Sequence, residues 1–452
     1  MNKKTELLGG APIPKALLAM GIPTMIGMLI NALYNIVDAY FVGGLGESQM
    51  GAISVVFPLG QLIVGLGLLF GNGAGSYISR LLGKGDRETA NKAASTALYS
   101  SFALGAGCIF VSILFLHPIL TLLGASGSIL PYALAYSRIY VISCIFNVLN
   151  VTINSIITSE GAAKTAMSAM LLGAVLNTGL DPLFIYVFDL GISGAAMATA
   201  ISQIASFLVY LCYILRKKSN FSFQIKDCVF SREIYGQICQ IGIPVFVFQL
   251  LTSLSITLTN NAIKPYGDSA LAGMGTVTRL VSMGSLTVFG FIKGFQPIAG
   301  FSFGAKNFQR LRKAIYISVL WSTCFCVIVG LIFILFPGEI VAQFTKDDVK
   351  MIEIGAKALR ANGFSFMLFG FHTVYSSLFL ALGKGREGFL LGALRQGICF
   401  VPVIFILPKF LGMDGILYAQ PAADLLAAIV TVFMAVSLSG KLREMQPCKE
   451  CE

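Results

Sequence analysis

Charged side chains are scarce in this sequence. They make up 12% of its 452 residues, about half the share that a soluble globular domain uses to cover its surface. That shortage excludes a soluble enzyme of two or three domains. Alternation of apolar and polar residues at period two is also missing, which excludes an outer-membrane barrel. Only two histidines occur, His117 and His372. They fall in opposite halves with no ligand set nearby, so no metal site is expected. No Gly-Lys-Ser/Thr phosphate loop is present, and Gly71-x-Gly73-x-Gly75 reads as packing inside a helix because no strand precedes it. Any transport is therefore expected to draw on an ion gradient, with no cofactor. The ten cysteines lie mostly in or beside apolar runs and suggest no disulfide framework. Cys448-x-x-Cys451 reads as an ordinary polar tail, not as a redox or metal pair. No short apolar stretch with a small-residue cleavage site opens the sequence, so no removable signal peptide is expected. The net charge of +11 does not point to nucleic acid, because the basic residues sit in short loops and not on one solvated face.

Apolar residues fill the gap: 56% of the chain is hydrophobic and the mean hydropathy is +0.81. Twelve runs reach the length of about 20 residues that crosses a bilayer. They lie near 14–42, 50–79, 93–116, 132–158, 165–188, 193–215, 235–263, 271–301, 314–336, 352–382, 388–408 and 415–437. This predicts an all-α polytopic membrane protein. With the N-terminus cytoplasmic, 23 of the 32 Lys and Arg fall on cytoplasmic segments and 6 on outer ones. The bias places both termini inside and supports the even count.

The chain also repeats itself. Residues 21–93, shifted by 221, align without a gap onto 242–314 with 14 identities in 73. Gly21-Ile22-Pro23 meets Gly242-Ile243-Pro244, and Gly73 and Gly83 meet Gly294 and Gly304. Two repeated six-helix lobes of equal topology are related by an axis along the membrane normal, and solute transporters commonly keep their site between such halves. The expected organisation is an N-lobe over 1–215, a cytoplasmic linker over 216–234, a C-lobe over 235–437 and a cytoplasmic tail over 438–452.

An ionisable group inside a bilayer is a functional candidate by default. Asp38 in span 1 lies roughly 6 Å below the outer end of its helix, and Asp181 in span 5 roughly 10 Å below its own. Thr199 in span 6 sits at a similar depth, and Asn177 is one turn from Asp181 on the same face. These four side chains, with Tyr34 one turn from Asp38, are the candidate cation or proton site. A carboxylate in a poorly solvated cavity can exchange protons near neutrality. Two carboxylates with amide and hydroxyl oxygens can also hold a hard cation such as Na⁺. The alternative is that these groups only hydrogen-bond helices together.

Candidates for a substrate cavity are Asn31 and Asn35, which share the face of Asp38, Asn150 and Asn154 in span 4, Lys293 in span 8 and His372 in span 10. The asparagines are equally compatible with interhelical bonding, and a histidine such as His372 is more often a bonded bundle residue. The second repeat does not copy the first here. Asp38 maps to Thr259, and Asn72 maps to Lys293. Lys293 reads either as a charge that responds to substrate or as a structural group that snorkels or pairs with a carboxylate such as Asp424.

Tyr34-Asn35-Ile36-Val37-Asp38 continuing to Phe41-Val42-Gly43-Gly44-Leu45-Gly46 resembles the first span of multidrug and toxic compound extrusion (MATE) transporters. So does Asn177-x-x-x-Asp181-Pro182 followed by Gly191-Ile192-Ser193-Gly194-Ala195-Ala196-Met197-Ala198-Thr199. The resemblance covers nearly the whole chain. Arg395-Gln396-Gly397 and Leu411-Gly412-Met413-Asp414-Gly415 are similar to its MepA-like bacterial branch. The resemblance implies a monomeric, multi-pass exporter of cationic or amphipathic drugs and dyes in a bacterial cytoplasmic (inner) membrane, driven by H⁺ or Na⁺ antiport, with the N-lobe cation site carried by Asp38, Asn177, Asp181 and Thr199. Members coupled through a C-lobe site have a Glu in span 7, where this chain has Thr252, so protons at the N-lobe site are the expected coupling ion. Substrate would occupy a central cavity lined by aromatic and Met side chains. A flippase of lipid-linked precursors would call for extra spans and an arginine-rich cavity. A channel would call for a repeated pore motif, and an intramembrane enzyme for a nucleophile and base.

Overall fold

The computed structural model of the chain describes residues 3–125, 127–344 and 348–444, so Cys448 and Cys451 lie outside the described residues. Among the described residues, twelve helices are long and apolar enough to cross a membrane. Spans 1 to 6 are Ile13–Gly43, Ser48–Lys84, Arg87–Leu114, Leu130–Ser159, Ala163–Val187 and Gly191–Leu215. Spans 7 to 12 are Arg232–Tyr266, Ser269–Gly304, Phe308–Leu335, Val349–Ala381, Gly385–Leu411 and Ala419–Gly440. No strand occurs among the described residues.

Several helices overrun the apolar runs that foretold them. Span 2 continues to Lys84 and span 9 begins at Phe308. Hydropathy marks where lipid contact ends, whereas backbone hydrogen bonds and caps mark where a helix ends. The caps obey the repeat. Asp86 accepts from Thr89 N at 3.0 Å to open span 3, and Asn307, 221 residues on, accepts from Arg310 N at 3.0 Å to open span 9. The residue before each cap, Gly85 and Lys306, has positive φ.

Within the first lobe, span 2 packs on span 4, span 1 on span 5, and span 6 on spans 4 and 5. Within the second, span 10 is central and packs on spans 8, 9 and 12. The lobes meet where span 1 lies on span 8, span 7 on span 2, and span 2 on span 8. Glycines permit this contact because small residues let backbones approach. A Cβ at Gly83 would stand 2.1 Å from Phe301 O, and one at Gly304 would stand 2.0 Å from Arg80 O. Both pairs differ by 221, so the contact is reciprocal about a pseudo-twofold axis. Gly73 against Ile238 O and Gly242 against Leu69 O continue the seam.

The Gly83 and Gly304 contacts lie at the end of the bundle that carries the basic loops after spans 2 and 8, and the Gly73 and Gly242 contacts lie deeper along span 2. A short helix, Lys3–Gly9, joins the lobes at the same end. Lys4 pairs with Glu160, which also accepts from Tyr213. Arg310 of the second lobe donates to Leu8 O in the helix's last turn at 2.9 Å and to Ala11 O just beyond it at 2.6 Å, where a cation is favoured by the helix dipole. This helix carries too few residues to leave a hydropathy signal of its own.

Candidate functional site

Span 5 brings Asn177 and Asp181 to one buried face, and span 6 brings Thr199 against them. Asp181 is fully buried, and Asn177 and Thr199 nearly so. Asn177 Nδ2 donates to Asp181 Oδ1 at 3.3 Å and to Thr199 Oγ1 at 3.5 Å. Asp38 of span 1 is half-buried and lies within Coulombic range of Asp181, and Tyr34 within range of both. The five residues named for a cation site therefore converge from three helices. The decisive observation concerns what they leave unpaired. Asp38 Oδ1, Asn177 Oδ1 and Asp181 Oδ2 are all buried with no hydrogen-bond partner among the described residues. Buried polar atoms are ordinarily paired, and each orphan costs about 1–3 kcal/mol. Three acceptor oxygens without a donor form a set that can take up a proton or ligate a hard cation.

Span 4 closes this site with residues that sequence reasoning missed. Tyr136 and Tyr140 stack at 5.3 Å between ring centroids, and both lie within Coulombic range of Asp38. Cys144 bonds Tyr140. The i, i+4, i+8 spacing of these three was the available signal.

The second feature is a cavity of about 730 Å³ between the lobes. Its walls come mainly from spans 7, 8, 10 and 11, with Met28, Phe57, Gln61, Leu68 and Asn72 from the first lobe. Phe248, Phe289, Phe369 and Met274 give it an apolar and aromatic character, and Thr252 of span 7 faces it. Lys293 and His372 line it. The other four residues named for a cavity do not. Asn35 Nδ2 bonds Asn31 Oδ1 at 3.0 Å on an exposed face of span 1. Asn150 Nδ2 donates to Gln203 O and Oε1, both at 2.9 Å, and so ties span 4 to span 6. Asn154 donates to Tyr210 at 2.9 Å and accepts from Lys293 across the lobes. An Asn side chain serves cavity lining and helix bonding equally well, and here the partners on neighbouring helices decide. The expected alternative pairing of Lys293 with Asp424 is not made. Asp424 accepts instead from Arg395 Nε at 2.8 Å in a buried pair, and from Gln420 at 2.7 Å. His372 Nδ1 is bonded to Thr431 at 2.8 Å.

Two helical lobes about a pseudo-twofold axis, a drug-sized cavity between them and a buried acidic site to one side define a membrane transporter, not an enzyme. The MatE family model matches residues 23–183 and again 244–406, and the two starts stand at the same 221-residue offset as the internal repeat. The chain belongs to the MatE family of multidrug and toxic compound extrusion transporters. It is 32% identical over 436 residues to the multidrug export protein MepA of Staphylococcus aureus, covering 96% of this chain and 95% of that one. A multidrug resistance MATE family transporter of the MOP superfamily, in an outward-facing conformation, superposes with a TM-score of 0.92 at 28% identity over 98% of this chain and 99% of the other. So does a MOP superfamily transporter from Pyrococcus furiosus Vc1, with a TM-score of 0.91 at 28% identity and the same coverage. That protein is described as having a binding pocket of reverse polarity that suggests a different function.

Proposed function

We propose that this chain exports cationic or amphipathic drugs and dyes from the bacterial cytoplasm by antiport against an inward ion flux. The observation that carries the reading is the trio of unpaired buried oxygens on Asp38, Asn177 and Asp181. A proton or Na⁺ supplies the positive charge that this cluster lacks, and protons are favoured because Thr252 stands where a C-lobe carboxylate would be needed. The site is separate from the cavity, since none of its residues lines it. Ion and drug are thus coupled through the lobes, not by direct competition. The lobes, 1–215 and 235–437 joined by the linker 216–234, rock about the glycine seam. Loading Asp38 and Asp181 repacks span 1 around Asp38 or Pro23 and displaces the drug. With the positive-inside orientation, both termini and the seam face the cytoplasm, and the cavity is reached from outside. The unit is a monomer in the bilayer. A flippase reading finds less support: the cavity's arginine, Arg395, is already paired with Asp424.

The test is dye efflux from proteoliposomes under imposed gradients. A pH gradient should drive efflux without Na⁺, and Asp38→Asn should abolish it while the purified protein still binds dye. Undiminished efflux by Asp38→Asn would refute the mechanism.

A further inference from the structure

We infer that the cavity's cargo are amphipathic molecules carrying an acidic group, a carboxylate or comparable anion, seated on the ammonium of Lys293. The inference rests on the export reading of this cavity; it keeps the amphipathic cargo of that reading and sets acids ahead of the cations that the reading also allows.

The charge balance of the walls is the starting point. Lys293 and Arg395 line the cavity, and among the described residues no Asp or Glu does. Arg395 is answered behind the wall by Asp424, at 2.8 Å and 3.5 Å, and its guanidinium lies 4.5 Å from the Phe369 ring centre. That pair is neutral. Lys293 forms none of the ion pairs found among the described residues. Its hydrogen-bond partner is Asn154 Oδ1, a neutral amide that offers no countercharge. An ammonium has three donors, so two remain for a ligand. The cavity therefore carries one uncompensated positive charge beside an apolar wall of Ile292, Phe289 and Phe369. A volume of about 730 Å³ suits a drug-sized ligand, and such sites fix orientation with a few polar groups among apolar ones. An aromatic or alkyl body packs against the phenylalanines and its anion completes Lys293. A lipophilic cation of the same size meets a like charge where water screens poorly. The first repeat has neutral Asn72 at the equivalent position, so this charge belongs to one lobe and breaks the pseudo-symmetry of the cavity.

The test uses two probes with one pyrene body, 1-pyrenebutyrate and a pyrenylalkyl trimethylammonium, and the full chain in nanodiscs. Trp321 is the single tryptophan, and its ring lies 6.2 Å from that of Phe291, so energy transfer to pyrene reports occupancy. A charge-assisted hydrogen bond contributes roughly tenfold or more in affinity. The butyrate should bind the native chain about tenfold more tightly than the ammonium probe. Lys293→Gln should bring the ratio to about one, and Lys293→Arg should keep the preference. Equal or tighter binding of the ammonium probe by the native chain would overturn the inference. So would an unchanged ratio in Lys293→Gln, or no saturable binding of the butyrate. Equilibrium binding needs no ion gradient. If the acid binds through Lys293 but gradients drive no efflux, the export reading fails and the anion site stands; efflux without acid preference gives the converse.

Discussion

The reciprocal glycine contact permits a quantitative forecast. Substituting Ala for Gly83 places a methyl 2.1 Å from Phe301 O, and substituting Ala for Gly304 places one 2.0 Å from Arg80 O, where ordinary contact begins at 3.4 Å. Each obstacle is a backbone carbonyl and cannot rotate away. Spans 2 and 8 must part by about 1 Å or the lobes must rock, and such overpacking costs about 1–3 kcal/mol. That cost falls on the conformation with the seam closed, so its population relative to the alternative should drop roughly 5- to 150-fold. The three nearest obstacles at each glycine all belong to the other lobe, and Ala is a better helix former than Gly by roughly 1 kcal/mol. Each lobe should therefore keep its own stability. Because one rigid-body parting relieves both clashes, Gly83→Ala/Gly304→Ala should cost little more than either single change, a coupling close to the full single-variant effect. Spin labels at the exposed positions 87 and 309, in a cysteine-free background in nanodiscs, would read the distance across the seam. A longer-distance population should appear in each single variant and grow only slightly in the double. Native distances in both single variants, or strictly additive costs, would refute the reasoning.

Other consequences concern the buried polar groups. Arg395→Met leaves Asp424 charged and buried and should destabilise the protein by about 3–5 kcal/mol; Arg395→Met/Asp424→Leu should recover most of this in thermal melting. Glu160, fully buried, accepts from Lys4, Tyr213, Ser219 and the Asn220 amide. Glu160→Ala should cost on the order of 3 kcal/mol locally and hasten proteolysis of 216–231 more than tenfold, whereas an unchanged cleavage rate would mean that the linker docks by other contacts. In the linker, hydrogen bonds from Ser222 and then Asn91 hold the Asp227 carboxyl below the usual carboxylate range. A depressed folded value means that this docking is complete above the unfolded value near 4 and lost as pH falls through the folded one. Hydrogen exchange in 220–228 should be slow and unchanged from pH 7 to 5 after correction for intrinsic rates, and should quicken below pH 4.

How far the sequence could be read depended on the range of each signal. Span number, the repeat and the acidic cluster were legible because hydropathy, a constant 221 offset and helical spacing each act over many residues or a fixed rise. Asn177, Asp181 and Thr199 could be placed at one depth from helix geometry alone. What was hidden depends on partners distant in sequence. Asn150 meets Gln203, 53 residues away, and Arg395 claims the carboxylate that Lys293 was offered. No local pattern chooses between such pairings. The same comparison separates two kinds of position. Where the repeats agree, at Gly73 with Gly294, Gly83 with Gly304 and the caps Asp86 and Asn307, the residues build the seam and its flanks. Where they differ, at Asp38 with Thr259 and Asn72 with Lys293, charge has been placed in one lobe only. A symmetric hinge lets both lobes move as one pair of rigid bodies. Asymmetric charge gives each a different ion to answer, negative oxygens in the first lobe and an ammonium in the second. If one lobe alone carried both charges, ion and cargo would meet in one pocket and could neutralise each other there. Set apart on opposite lobes, they can influence each other only through contacts between the lobes, which makes the glycine seam a mechanical link for the proposed antiport.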